Sequence, residues 1–500
     1  MEYILGLIIL SIGLIYLICK RSKMFLHMVQ LEGYNSDNFK KWIRNNKERA
    51  YKLGKDDSPV KKPLVFTQRA TRLFRTNAII SSAFLLAAIL YYILSPSIWA
   101  FILVPVLGLL VFVFQPNIML ISNMIMVPIE NKINQGFYNS AQGKIKARED
   151  LTVVGITGSF GKTSTKFIVG TILGERFNVL NTPESYNTPM GLSKVINNDL
   201  NDDHEVFIAE MGARNIGDIK EVAELCQPNL GVITSIGPVH IETFKNVDNI
   251  MKTKYELIEE LPSDGVAIFN YDNEHLKKLA DKTFKEKLLY GLEDIENLDI
   301  YADDIEVSES GSSFTLRDKK GNSVRCTTRL LGKHNIYNIL AGVCVALSLG
   351  MNFEEISRGI SKIEPIRHRL NIIDSGTGVI VIDDAFNSNP IGTKAALEVI
   401  SQFKEGRKII VTPGMVELGA MEESANREFG MDIGKVCDYA ILVGEKRSKP
   451  IYEGLMEVNF NPDNIFVVSS LEEATERLGR LTRHKDVVLF ENDLPDNYSE

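Results

Sequence analysis

The run Thr157-Gly158-Ser159-Phe160-Gly161-Lys162-Thr163-Ser164 gathers two glycines, a lysine and several hydroxyls into eight residues. Glycines let successive backbone N–H groups close around an anion, a lysine adds mobile positive charge, and a threonine hydroxyl can ligate Mg²⁺. The run follows the β-branched stretch Thr152–Ile156 and precedes the apolar-periodic stretch Phe167–Leu173. A strand, a phosphate-binding loop and a helix N-terminus are therefore expected in that order. Ile156 stands where the general Walker pattern has glycine, and the loop alone does not separate a kinase, a GTPase and a ligase.

Two later stretches narrow the chemistry. Ala209-Glu210-Met211-Gly212-Ala213 ends one predicted strand, and Thr234-Ser235-Ile236-Gly237-Pro238-Val239-His240-Ile241-Glu242 ends the next. Each puts a metal-capable side chain at the C-terminal edge of a parallel sheet, where α/β folds bind ligands. Taken singly, Glu210 or His240 is an ordinary surface or capping residue. Beside a phosphate loop, the two form a candidate second Mg²⁺ site.

These residues need a frame, and 500 residues are too many for one core. From Leu151 onward, short β-branched runs alternate with helical stretches, the pattern of a parallel sheet covered by helices. Strands are predicted at Thr152–Ile156, Val206–Ala209, Gly231–Ser235 and Val266–Asn270, and an antiparallel flap within Asp299–Thr328. A second α/β unit is predicted from strands at Val379–Asp383, Lys408–Thr412, Tyr439–Val443, Ile465–Val468 and Val487–Phe490. Between the units, Gly332–Asn338 opens a helix and reads as a hinge. The expected architecture is α/β: N-terminal transmembrane helices, then a P-loop central α/β domain, then a C-terminal Rossmann-like α/β domain. The corresponding segments are 1–116, a linker or interfacial segment 117–150, 151–335 and 336–500.

The membrane expectation rests on three uncharged apolar runs, Tyr3–Cys19, Ala78–Leu94 and Ile98–Phe114, each about 17 residues. Glu2 replaces the basic start of a signal peptide, so an uncleaved anchor is the reading. Residues 20–77 carry fifteen Lys/Arg against five acids and should stay in the cytoplasm. Ser95-Pro96-Ser97 then closes a hairpin that returns the chain there, at the cell membrane with its catalytic domains cytoplasmic. Of a whole-chain charge of −8, residues 1–150 hold about +10, leaving about −18 for the rest. So acidic a body excludes nucleic-acid binding, and the basic stretch suits anionic membrane lipid. The five cysteines are isolated, which argues against a disulfide frame or a zinc site.

The motifs together resemble the Mur ligase family, most closely its D-alanyl-D-alanine-adding branch. The resemblance is carried by the loop above, Asn187–Gly191, Glu210–Ala213, Ile236–Glu242, Lys252–Glu256, Asn270–Asn273, Gly332–Asn338, His368-Arg369, Asp383–Pro390 and Gly414–Ala420, in that order. It implies an ADP-forming amide ligase that works through an acyl phosphate, with ATP and Mg²⁺ as cofactors. Lys162, Lys254, His240 and Arg369 would serve catalysis. Gly158, Ser159, Phe160, Gly161, Lys162, Thr163 and Ser164 would hold phosphates. Asn335 and Asn338 would touch adenine, with Asn270 a further candidate, while Arg369 would reach the γ-phosphate and Asp384 the ribose. Thr163, Glu210, His240 and a carbamylated Lys254 would ligate metal, Lys252 being the neighbouring alternative to Lys254.

The resemblance also implies the partners: an amino acid or short peptide, and a cell-wall precursor acceptor. Two departures bear on them. Membrane runs occupy the span where such enzymes grip a uridine nucleotide, which points to a polyprenyl-linked acceptor. Near the C-terminus, Phe490-Glu491-Asn492-Asp493 stands where such enzymes have a Lys-Gly-Ser-Arg-like run. A ligase on another anchored polymer, such as poly-γ-glutamate, and a non-catalytic nucleotide-binding scaffold remain as alternatives.

Overall fold

A computed structural model describes residues 2–51, 63–183, 186–239, 241–308, 311–365, 369–374, 376–385, 388–416 and 418–492. The chain divides into two compact units, Met1–Gly136 and Phe137–Glu500.

The first unit contains α1 (Glu2–Leu31), α2 (Ser36–Asn45), α3 (Lys47–Tyr51), α4 (Gln68–Leu94), α5 (Ile98–Val113) and the first turns of α6 (Gln115–Lys146). At one end, Phe25, Leu26 and Val29 of α1 pack with Phe39, Leu73 and Met119 in an apolar core. Further along α1, α4 and α5 the interior thins to Ile18, Leu85 and Val111, then to Ala88 and Val104. Their large apolar side chains face outward instead: Leu94 is 83% exposed and Trp99 78%. Between the two zones lies a buried polar layer. Ser22 Oγ donates to Asn77 Oδ1 at 2.8 Å, and Gln115 Nε2 donates to the same atom at 2.6 Å. Unpaired, these groups would each cost about 1–3 kcal/mol, so they hold α1, α4 and α6 in one register.

The three expected membrane spans are not confirmed by length and composition. Among the described residues α4 alone is long and apolar enough to cross a bilayer, while Phe101–Val113 and α6 pass together as a pair bent by 70°. At 16 residues α5 is short for a span, and the side chains of residues 2–11 lie outside the description.

The segment expected as a linker is largely helical. The last turns of α6 belong to the second unit, where Ala141 and Ile145 enter its core and Lys144 Nζ donates to Ile196 O at 3.0 Å.

In the second unit one sheet comprises β1 (Thr152–Thr157), β2 (Val179–Asn181), β3 (Val206–Glu210), β4 (Leu230–Ile233), β5 (Val266–Asn270), β6 (Lys287–Gly291), β7 (Ile300–Ser308), β8 (Gly311–Asp318) and β9 (Ser323–Thr328). Their order is β2-β3-β1-β4-β5-β6-β7-β8-β9. In that order the strands from β2 through β7 pair parallel, and β8 and β9 add an antiparallel meander onto β7 at the edge. Strand order reverses beside β1, so the loop after β1 opens at the switch point where such sheets bind ligands.

The second sheet comprises β10 (Asn371–Asp374), β11 (Ile380–Asp384), β12 (Lys408–Thr412), β13 (Tyr439–Val443), β14 (Ile465–Val468) and β15 (Val487–Glu491), in the order β10-β11-β15-β12-β13-β14. All neighbours are parallel except the β10–β11 pair. The helix Lys333–Ser348 places Ile336, Ile339 and Val343 in the core formed by β1 and α7 (Lys162–Leu173), and Ile356, Ile360 and Ile363 follow.

A phosphate loop facing a shared cavity

The loop between β1 and α7 is shaped by its neighbours as much as by its glycines. Ser159 N donates to Ser235 O at 2.8 Å, Phe160 N to Ser235 Oγ at 2.9 Å, and Gly237 N to Ser159 Oγ at 3.0 Å. The stretch after β4 thus braces the loop from the adjoining strand end. Gly161 has φ +79° and caps α7, and a Cβ there would lie 2.7 Å from Asn338 Oδ1. Gly161→Ala should therefore combine backbone strain with a steric contact and lower stability by about 1–3 kcal/mol, read as a fall in the denaturation midpoint.

Glu210 ends β3 and is buried directly behind the loop. Its Oε1 accepts from Thr163 Oγ1 at 3.2 Å and Asn187 Nδ2 at 3.1 Å, and its Oε2 lies 3.1 Å from the fully buried Lys166 Nζ. The hydroxyl of Thr163 and the carboxylate of Glu210 are hard oxygens of the kind that could serve Mg²⁺ together with phosphate oxygens and water. Among the described residues no group of three His, Cys, Asp or Glu side chains gathers to hold a metal. His240 lies outside the described residues, as does His368.

Lys162 Nζ donates to Gly158 O at 2.7 Å and to Ser159 O at 3.3 Å. Burial lowers its pKa; the nearby Glu210 carboxylate raises it and the Arg369 guanidinium lowers it further. Lys254, in the helix Val247–Glu259, is buried, whereas Lys252 is exposed. Burial, reinforced by the charge of Lys162, brings the Lys254 amine down to about 7, against the pull of Asp218 and Glu256. A substantial neutral fraction at physiological pH follows.

One cavity of about 650 Å³ joins the two α/β sheets. Ser159–Ser164 line one side, Asn270, Asn335 and Asn338 another, and Arg369 and Asp384 the side contributed by the second sheet. Asn338 Oδ1 accepts from Thr165 Oγ1 at 3.1 Å, which ties the helix Lys333–Ser348 to α7. Asp384 ends β11 and accepts from Leu370 N at 3.1 Å. Burial raises its pKa to about 6 against the opposing charge of Arg369.

All the described site residues that the sequence singled out are thus brought to one region, with Gly158, Glu210 and Lys254 off the cavity lining and the others on its wall. Sequence reasoning missed Lys166, Asn187 and Glu491. Lys166 follows Lys162 by one helical turn, so its spacing was a signal; Asn187 was quoted only within a motif.

Residues 156–346 match the Mur ligase middle domain, and residues 368–491 match the Mur ligase, glutamate ligase domain. The chain belongs to the Mur ligase family. Among relatives of this Mur ligase is the UDP-N-acetylmuramoyl-tripeptide--D-alanyl-D-alanine ligase of Bacillus subtilis (strain 168). The two are 29% identical over 68% of this chain and 72% of the relative. The Escherichia coli (strain K12) protein of the same name is 30% identical over 57% of this chain and 63% of its own length. The solved MurF ligase from Thermotoga maritima in complex with ADP superposes with a TM-score of 0.64 at 26% identity, covering 72% of this chain and 80% of that one. MurF from Acinetobacter baumannii gives 0.65 at 25% identity, covering 72% and 77%.

Proposed function

We propose that this Mur ligase joins the carboxyl group of a cell-wall precursor to the amine of an amino acid or short peptide, with ATP converted to ADP and phosphate. The observation that carries this reading is the single cavity in which the phosphate loop of one sheet faces Arg369 and Asp384 of the other. The relatives' names and the ADP-bound Thermotoga maritima structure support the same substrate classes.

A carboxylate oxygen of the acceptor attacks the γ-phosphorus, ADP leaves, and the amine then attacks the acyl carbon as phosphate leaves. Lys162 and Arg369 approach the transferring group from opposite sheets and offset the charge that develops there. In their present arrangement the Lys162 donors are spent on loop carbonyls, which phosphate oxygens would replace. Asn335 and Asn338 form the adenine side, with Asn270 nearby, and Asp384 accepts the ribose hydroxyls. Mg²⁺, when bound, would neutralise phosphate charge, held by Thr163, Glu210, His240 and a carbamate on Lys254. The neutral Lys254 amine can add CO₂ with loss of a proton, which turns an unsuitable cation into an anionic oxygen ligand. ADP release measured with uridine-linked and lipid-linked peptide acceptors, each with candidate amines, tests the whole reading. ADP release that no combination stimulates would refute it.

The finer part of the reading is a membrane location and a lipid-linked acceptor. Its support is the outward-facing apolar surface of α1, α4 and α5 beside a strongly basic segment. Under this reading residues 36–51 are cytoplasmic, so Lys40→Cys in a Cys19→Ser background should resist an impermeant thiol reagent in intact cells and react after lysis. Labelling in intact cells refutes that topology. A truncated chain should begin at Phe137, because starting near Ala147 would strip Ala141 and Ile145 from the core. If that chain uses a uridine-linked acceptor as efficiently as the full chain uses a lipid-linked one, the membrane segments contribute nothing to recognition.

A further inference from the structure

Glu491 ends β15 directly beside Asp384, its partner in the parallel register with β11. It is 1% exposed. Its Oε1 accepts from Ser388 Oγ at 2.6 Å, whereas its Oε2 is buried with no hydrogen-bond donor. A buried carboxylate oxygen left without a donor is costly to hold. The carboxyl-bearing Asp384 is its neighbour across the parallel register of β11 and β15. The next residue secures the pair: Asn492 Nδ2 donates to Gly414 O at 2.6 Å, and its Oδ1 accepts from Ser388 N at 3.3 Å. Ser388 and Asp384, on either side of Glu491, both line the cavity, so the buried carboxyl stands directly behind its wall.

We propose that Glu491 is a positioning residue: through a proton shared with Asp384 it fixes that carboxylate in the orientation that receives the hydroxyl groups of the nucleotide sugar. The proposal rests on the assignment of Asp384 to the ribose given above. Two carboxyls on adjacent strands, one of them fully buried, cannot both ionise cheaply, and neighbours of this kind titrate as a pair. Burial first, and the Asp384 charge second, hold Glu491 well above the usual carboxylate range, against the opposing effects of Ser388 and Arg369. Among the described residues the charged groups facing the pair are Arg369, just before β10, and Asp383 on β11. The β12 side contributes the uncharged Thr412 and Gly414, and the helix Pro390–Ser401 is preceded by the uncharged Ser388 and Asn389. For this role the pair must hold one proton near neutral pH. Once that proton is lost in alkaline solution, the carboxylates repel and Asp384 loses its fixed orientation.

Isothermal titration of the full chain with ATP and with 2′,3′-dideoxy-ATP reads the sugar contact as a ratio of the two dissociation constants. That ratio cancels changes felt equally by both nucleotides. In the native protein it should fall about tenfold as the pair loses its proton, the size of one hydrogen bond to a charged group. Glu491→Gln keeps a donor toward Asp384 and an acceptor for Ser388 but cannot titrate. It should match the native ratio at neutral pH and hold it into alkaline solution. Glu491→Ala should lower the ratio about tenfold at every pH. A native-like alkaline fall in Glu491→Gln, or a native ratio in a folded Glu491→Ala, overturns the proposal. Asp384→Asn separates the two layers of the argument. If it leaves the ratio unchanged, Asp384 does not bind the sugar and the positioning role falls with that assignment. The infrared band of a protonated carboxyl, present at neutral pH in the native chain and absent in Glu491→Gln, independently reports whether the proton is shared.

Discussion

Lys162→Ala should abolish ADP formation, with a loss of at least about 10³-fold in turnover. The residue is the first of α7, and its ammonium already hydrogen-bonds within the phosphate loop. Electrostatically it is coupled to both Glu210 and Arg369, one from each α/β sheet. Removing it leaves Arg369 as the cation facing the transferring group from the far side of the cavity. The fold should tolerate the change because Lys162 is not fully buried and its partners are carbonyls that water can satisfy. Single-turnover ADP release, alongside a denaturation midpoint within a few degrees of the native chain, separates loss of chemistry from loss of structure. Native-like turnover would remove Lys162 from the site.

Lys254→Ala is expected to remove turnover while leaving ATP binding largely intact. Lys254 is buried in the helix behind the loop and away from the cavity lining, so its loss should not alter adenine or phosphate contacts directly. Its pKa of about 7, set by burial and the charge of Lys162, makes it a neutral amine over part of the physiological range. Carbamylation requires that neutral form, so activation by CO₂ should weaken as pH falls below about 7 and the amine protonates. Short carboxylic acids should partly restore Lys254→Ala, because a carboxylate can enter the space and offer the same oxygens as the carbamate. The measurement is turnover against added acetate or formate. Full activity without added acid would exclude Lys254, and with Lys252 exposed on the same helix no second buried lysine of that motif would take its place.

Much of the fold and site was legible in local patterns. The spacing of Gly158, Gly161, Lys162 and Thr163 after a β-branched run specifies a strand, a loop and a helix, because each part is dictated by neighbours a few residues away. The same holds for strands Val266–Asn270, Lys408–Thr412, Tyr439–Val443 and Ile465–Val468, all observed with the expected bounds. The short strands Val179–Asn181 and Asn371–Asp374 carry too little alternation to announce themselves and form because a neighbouring strand offers its ladder. The hinge stretch Gly332–Asn338 begins a helix as expected, yet that helix packs on α7, since its apolar face matches the core there.

Residue chemistry was therefore readable wherever function depends on near neighbours in the chain: a phosphate loop, a strand-end carboxylate, an acidic body with a basic start. Long-range contact decided the rest. Lys166 becomes a partner of Glu210 only because β3 lies beside β1, and Lys254 becomes a depressed amine only because a helix seals it away from water. Glu491 read in isolation was a misplaced acid in a run expected to be basic. Parallel pairing of β11 and β15 sets it beside Asp384, with its own carboxyl buried behind the cavity wall. No spacing rule could express that, because the two residues are brought together by the sheet and not by the chain.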